Sequence, residues 1–444
     1  MPQGLHPTDD RTVAHLGVGA FHRAHQAWYT HRASDAEDPW SIVAFTGRSP
    51  EQARILRARE GTYTLVTRGA DADEFSEITS IRSAHDGAER ETWDTVVADP
   101  RTRVITLTIT EAGYRLGADG RLETASPVVV ADLRRALQDP GAPILTAPVR
   151  LALGLAARRA AGSPPVTVIS CDNLSGNGEI ARSVVIDAAA ALDPSLPRWV
   201  DDNVAFRSSM VDRITPQTTA DDVDEVERAT GVRDEGTVVA EPFSEWVMED
   251  GFAGPRPAWD RVGAQVVPDL APFEERKLRI LNGAHSLLAY HGLLNGFEDV
   301  AGAFADPQMR TLVEEYWGVA AASCVLPRSE IDGVIAATRS RFSNPRIRHR
   351  LTQIAQDGAH KLPHRVVPVL EHAIRSGDAA DVPASVIGAW VRHGGRTSDD
   401  VRSLLAGVTD AAVADAMLTA IERELRRLDG EPADAFRGVG AVRS

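Results

Sequence analysis

The chain has 444 residues, 43% of them hydrophobic and 25% charged, which is ordinary for a globular protein and enough for two or three domains. A formal net charge of −15 with no basic run argues against nucleic acid or an anionic membrane as the main partner. Cys171 and Cys324 form neither a disulfide framework nor a metal-spaced set, the N-terminal stretch lacks the apolar core of a signal peptide, and no apolar run reaches transmembrane length. The expectation is a cytoplasmic enzyme or binding protein.

Val13 to Leu16 reads as a short buried strand that enters Gly17-Val-Gly19, and Ala20 to Arg32 reads as a helix. Strand, glycine turn and helix open a dinucleotide-binding unit, because glycines let the backbone approach a pyrophosphate at a helix N-terminus. His22 stands where the fingerprint has its third glycine, so the same residues also fit a plain tight turn. His22 and His25 are three apart, but no cysteine or carboxylate in the stretch completes a metal ligand set.

Ser41 to Phe45, Val104 to Ile109 and Val166 to Ser170 read as further strands. Helical segments lie between several of them, near Ser49 to Ala58 and Pro127 to Leu137. This alternation predicts a mostly parallel sheet, whose ligands sit at the carboxyl ends of the strands. Two polar clusters fall at such ends, Thr110-Glu111 and Cys171-Asp172-Asn173. An acid that would hold the ribose diol of NAD is missing after the second strand. Arg48 stands there instead and could meet a 2′-phosphate, while Ser49 and Pro50 also read as a helix start.

Asp201 to Asp260 is mixed, with a polar, acidic surface stretch near 221–236, and Pro268 to Pro272 marks a boundary. The reading is a Rossmann-type unit over 1–267 and a mainly helical unit over 268–444. The helices expected in the second unit, beyond the one around Lys277, are Asp306 to Ala322, Pro345 to Asp357, Pro363 to Ser376, Pro383 to His393 and Ala411 to Leu428.

The stretch from Lys277 to Ser286, KLRILNGAHS, sets an amine, an amide and an imidazole in an apolar helical pattern. At about 100° per residue, with Lys277 at zero, His285 falls at roughly 80° and Asn282 at roughly 140°. All three share one side of the helix, which borders the arc of Ile280, Leu281, Ala284, Leu287 and Leu288, and half-sunk polar groups need partners.

Taken together, GVGAFHRAHQAWY (17–29), TITEAGY (108–114), SCDNLSGNG (170–178), MVDRITP (210–216), EPFSEWVMEDGF (241–252) and the K-x4-N-x2-H spacing of KLRILNGAHS resemble the mannitol dehydrogenase family of polyol-specific long-chain dehydrogenases. The resemblance covers most of the chain. It implies a Rossmann-type domain, then a helical domain, with the active site between them, a nicotinamide cofactor and no metal. By position it implies Lys277 as general base, Asn173 and Asn282 as donors to the reacting oxygen, and His285 as a substrate-orienting group. It also implies Asp212 as an acid near the substrate and Glu274 as a carboxylate for proton exit. Cofactor contacts are implied for Gly17, Gly19, Ala20, Phe21, Arg23, Thr110 and Glu111, beside Arg48.

These residue types suit the oxidation of a secondary alcohol. A lysine acting near neutral pH needs its pKa lowered, which partial burial does. Two amide donors stabilise a developing alkoxide without a metal ion. The cofactor expected from the resemblance is NAD, with NADP also possible.

Within the family, GAFHRAHQAWYTH and RFSNPRIRHRLTQIAQDGAHKLPHR (341–365) are most similar to the D-mannonate oxidoreductases. Mannitol 2-dehydrogenases carry an arginine where this chain has Gln353, eight before Lys361; both positions are expected to meet substrate. The expected reaction interconverts mannonate and fructuronate or mannitol and fructose. Mannitol-1-phosphate 5-dehydrogenase is an alternative, because it shares the Lys-Asn-His pattern. An alternative of another class is a dinucleotide-binding sensor without catalysis.

Overall fold

The apolar runs singled out between Val13 and Ser170 are strands of one parallel sheet in the computed structural model, which describes residues 11–47, 49–139 and 141–429. In chain order the strands are β1 (Arg11–Leu16), β2 (Trp40–Phe45), β3 (Tyr63–Arg68), β4 (Asp73–Ile78), β5 (Ile81–His85), β6 (Thr102–Leu107), β7 (Val166–Ser170), β8 (Val204–Arg207), β9 (Ser209–Asp212), β10 (Val238–Ala240), β11 (Glu245–Glu249) and β12 (Gln265–Val267). Six of them pair in the order β5-β2-β1-β6-β7-β8, all parallel. β2 and β7 are buried along their whole length, as strands covered on both faces must be, so their sequences run apolar rather than alternating.

Two smaller sheets flank this one. β3 pairs antiparallel with β4 and parallel with β10. β11 pairs antiparallel with β9 and parallel with β12, so the MVDRITP and EPFSEWVMED stretches lie side by side with Asp212 opposite Glu245. The polar stretch near 221–236 contains the helix Ala220–Thr230. It is started by a capping box in which Thr219 and Asp222 satisfy each other's backbone N–H.

The chain divides between Leu270 and Ala271 into two units. The second is helical, with a core that includes Tyr290, Trp317, Phe342 and Trp390. Among the described residues no helix is long and apolar enough to cross a membrane.

Three expected elements differ. The helix read over Ala20 to Arg32 is two helices, Ala20–Ala24 and Gln26–Ala33. The break is His25, which leaves helical geometry (φ −124°, ψ −87°) and bonds its Nε2 to the Glu245 carbonyl at 2.9 Å. Of the helix expected over Pro345 to Asp357, only Leu351–Ile354 forms. Its missing half bonds elsewhere: the Val300 N–H donates to the His349 carbonyl at 3.0 Å and the Leu351 N–H to the Glu298 carbonyl at 2.9 Å. Pro363 to Ser376 is likewise two helices, Gly358–Arg365 and Val367–Ser376. A further helix, Arg328–Phe342, was not anticipated from the pattern.

Candidate active site

The strand order reverses between the paired strands β1 and β6, and in such sheets a crevice forms at that switch point, at the carboxyl ends of the strands. A cleft opens there, lined by Gly17 and Val18 after β1, Gly47 after β2, and Thr108 to Thr110 after β6. Gly17 is required: its φ is +106°, and an added Cβ would lie 2.2 Å from the Thr108 carbonyl oxygen. Gly19 has open space before its Cα, with nothing nearer to an added Cβ than the Gly17 carbonyl at 3.8 Å. The Thr108 hydroxyl donates to the Gly17 carbonyl at 2.9 Å and lies 3.1 Å from His15 Nε2, so the turn is tied to the sheet.

The absent third glycine has a counterpart in packing. His22 lies flat on His15 of β1, ring centroids 3.3 Å apart, and this stack takes the place of a close backbone contact. Burial pushes the pKa of His15 down to about 3 and that of His22 well below the usual imidazole range. Among the described residues no cluster of three or more His, Cys, Asp or Glu could hold a metal, and His22 and His25 point to different partners.

Other cofactor candidates take several positions. Thr110 lies in the cleft in an unusual conformation (φ 65°), with its N–H bonded to Asp172 Oδ1 at 2.7 Å. Glu111, exposed, starts the 3-10 turn Glu111–Tyr114. Gly19, Ala20 and Arg23 line a second cleft with Gln52 and Thr237. Arg23 is bound into the fold by the Gly19 and Gly236 carbonyls and stacks over Tyr63. Phe21 stacks on His25 at 5.0 Å. Arg48 lies outside the described residues.

Two cationic lining residues were missed. Arg115 stands in the left-handed region (φ 56°), and Arg150 is buried with its guanidinium on the Ile144 and Thr46 carbonyls. Glycines at the turn, room before Gly19 and two guanidinium groups in the lining fit a dinucleotide pyrophosphate. No carboxylate is among the described lining residues.

Asp172, buried at the end of β7, fixes the neighbouring turn. It accepts the Ile109 and Thr110 N–H groups and the Tyr114 hydroxyl, the last at 2.7 Å. Desolvation raises its pKa against those bonds. Asn173 follows it, exposed. Asp212 ends β9, half-buried, and the next residue, Arg213, is clamped on the Glu241 and Ala24 carbonyls and over the Trp28 ring.

In the helical unit, Ala271–Arg276 runs through Lys277–Asn282 into Gly283–Leu294, and the middle segment is a π-helix. The Gly283 N–H reaches back five residues to the Leu278 carbonyl. This wider turn changes the geometry expected from the sequence. Residues five apart come nearly one above the other instead of roughly 140° apart, so Asn282 swings towards the side of Lys277.

Bonds from neighbouring side chains hold the turn. The Trp317 indole N–H donates to the Ile280 carbonyl at 3.0 Å and the Ser286 hydroxyl to the Asn282 carbonyl at 3.0 Å. Gly283 is small because Tyr316 Oη would lie 2.0 Å from a Cβ there. Lys277 is half-buried, and Asn282 and His285 are buried.

His285 packs on Phe342 (4.7 Å between centroids) and edge-on to His349 (4.8 Å), and its Nε2 has no hydrogen-bond partner. Burial first, then His349, Arg341 and Arg365, keep its pKa well below the usual range, so the ring is neutral. Glu274 is half-buried one turn before Lys277. Gln353 and Lys361, both expected to meet substrate, stand eight residues apart. They lie on separate short helices, Gln353 exposed and Lys361 half-buried with Nζ 3.5 Å from the Ile354 carbonyl. His349 and Arg365 were missed as neighbours of His285; the Lys-Arg spacing inside KLPHR was the available signal.

Comparison with known proteins agrees with this architecture. Residues 11–261 match the mannitol dehydrogenase Rossmann domain and residues 269–427 the mannitol dehydrogenase C-terminal domain. D-mannonate oxidoreductase of Escherichia coli (strain K12) is 38% identical over 409 residues, 88% of this chain and 82% of the relative. D-arabinitol 4-dehydrogenase of Ralstonia nicotianae is 36% identical over 397 residues, 86% of this chain and 84% of the relative. The solved ternary complex of Pseudomonas fluorescens mannitol 2-dehydrogenase with NAD and D-mannitol is 31% identical, with a TM-score of 0.76 over 95% of this chain and 92% of its own.

Proposed function

This chain belongs to the mannitol dehydrogenase family and is an NAD-dependent oxidoreductase of CH–OH groups, and we propose that it interconverts a sugar alcohol or aldonate and its ketose or ketouronate without a metal ion. The relatives' names give mannonate, arabinitol and mannitol, which supports an acyclic polyol or its acid as the substrate class. The single observation that carries the reading is the π-turn, which draws Lys277 and Asn282 towards one side of a buried helix.

NAD, when bound, accepts a hydride from the carbinol carbon. Gly17, Gly19, Ala20, Phe21, Arg23, Arg48, Thr110 and Glu111 are proposed to hold it, with Arg48 allowing some use of NADP. Lys277 Nζ takes the hydroxyl proton, and Glu274 passes it on to solvent. The Asn282 and Asn173 amides donate to the oxygen as it gains charge. His285, neutral, presents an unpartnered Nε2 to a substrate hydroxyl, and Asp212, Gln353 and Lys361 meet the rest of the chain of hydroxyls.

Following NADH absorbance with fructose, fructuronate, tagaturonate and fructose 6-phosphate tests the proposal. Turnover of at least one is expected. Tight NADH binding with turnover of none would contradict it and favour a dinucleotide sensor.

A further inference from the structure

The helix Gly358–Arg365 packs against the π-turn and carries two cations four residues apart, Lys361 and Arg365, both half-buried. Like charges at this spacing repel. Arginines of the same unit elsewhere find carboxylates: Arg276 pairs with Glu330 at 2.9 Å and Arg339 with Glu314 at 2.6 Å. Among the described residues the Arg365 guanidinium has no hydrogen bond and no ion pair, and Lys361 has only its long bond to Ile354. The groups of opposite sense that face Arg365 are the phenols of Tyr290 and Tyr316; Asp357, at the start of the helix, faces Lys361.

A half-buried guanidinium loses part of its hydration without gaining an acid, and in a chain of net charge −15 acids are plentiful. Asp357 faces only Lys361, and no carboxylate pairs with Arg365 among the described residues, which leaves the guanidinium available to an anion from outside. The helix of Lys361 and Arg365 packs against both the π-turn and Gly283–Leu294, the helix of His285, so the cations and the unpartnered imidazole lie on neighbouring helices beside the turn.

We propose that Lys361 and Arg365 receive an anionic terminus of the substrate, the carboxylate of a sugar acid or the phosphate of a sugar phosphate, with Arg365 supplying the bidentate fork. This deepens the proposed function and rests on it for the reacting end of the molecule. An anion held there fixes which end of an otherwise repetitive polyol lies at Lys277, so the pair selects both substrate and regiochemistry.

The test compares fructuronate, fructose 6-phosphate and fructose at matched ionic strength in the wild type, Arg365→Met, Lys361→Met and Arg365→Lys. For the anionic substrate that the wild type prefers, Arg365→Met is expected to lower kcat/KM by about tenfold or more, with Lys361→Met next and Arg365→Lys regaining part of the loss. In Arg365→Met fructose should change by less than about twofold, whereas Lys361→Met, which also removes a proposed hydroxyl contact, is expected to lower fructose turnover as well, by several-fold less than turnover of the anion. Whether the large loss falls on the uronate or the phosphate tells the two anions apart.

Calorimetric binding of mannonate, mannitol 1-phosphate and mannitol to the NAD-saturated proteins keeps this separate from the catalytic reading. An anion-selective loss of affinity in Arg365→Met upholds the site even where no ketose is reduced. Equal losses for anionic and neutral ligands, or no preference for an anion in the wild type, would overturn it.

Discussion

In the sheet-built unit, the groups that form the candidate cofactor cleft are largely backbone: the Gly17 turn, the open face of Gly19, and a β6 loop pinned by Asp172. In the helical unit the proposed base, donor and orienting group, Lys277, Asn282 and His285, are side chains on one continuous helical run, and the π-turn within it is bonded by Trp317 and Ser286. A cofactor shared by many enzymes can be met by backbone geometry that varies little. A substrate that differs among relatives is met by side chains, which one substitution can change.

The largest expected effect separates the two units outright. Lys277→Ala should lower kcat for alcohol oxidation by several powers of ten, roughly the range of a lost general base, while NADH titration gives an unchanged Kd. Equal losses in both would mean that the lysine serves the cofactor or the fold.

Gly17→Ala is the mirror experiment. Its Cβ meets the Thr108 carbonyl and its φ is +106°, so the turn must shift. NADH affinity should fall by about tenfold or more, or the unit should lose about 1–3 kcal/mol of stability, read by titration and thermal melting. Normal affinity and melting would show that the turn is not held as described.

Trp317→Phe sharpens the comparison at the π-turn. It leaves the buried Ile280 carbonyl without its indole donor, at a cost of about 1–3 kcal/mol. The expected pattern is lower kcat and a lower melting temperature with unchanged NADH affinity; unaltered kcat would detach the turn from the chemistry.

A smaller effect concerns pH and touches both units, through His15 in one and His291 in the other. Burial holds both neutral, with pKa values pushed down to about 3 and about 4. Unfolded, each ionises near 6.5, so the unfolded chain binds more protons below that pH. Their stabilising contribution is complete above about pH 6.5 and is lost as the pH falls, at about 1.4 kcal/mol per pH unit for each. Urea midpoints should drop between pH 7.5 and 5; a flat profile would argue against neutral burial.

Much of the sheet-built unit was legible because its signals are local. Apolar runs such as Val166 to Ser170, punctuated by glycine and polar turn residues, mark strand and loop directly. The pairing of β9 with β11 was not, since partners more than thirty residues apart leave no local period. In the helical unit, the Lys-Asn-His constellation was visible as residue types on one side of a helix, but the π-turn that narrows the angle between Lys277 and Asn282 was not. An i→i+5 turn differs from an α-turn by one displaced hydrogen bond and carries no composition of its own. The break at His25 was hidden for a related reason: a histidine bonding a distant carbonyl looks, in sequence, like any helix residue. The helix Arg328–Phe342 did carry a signal, Ile331, Ile335, Thr338 and Phe342 at helical spacing, diluted by the arginines between them.

The central claim is that the amine at Lys277 takes the proton. The most direct measurement is the rescue of Lys277→Ala by added primary amines of graded basicity, with rates of NADH formation corrected for the free-base concentration of each amine. A proton acceptor at this position predicts rescue whose logarithm rises with amine pKa. No rescue by any amine small enough to enter, or rescue indifferent to basicity, would contradict it.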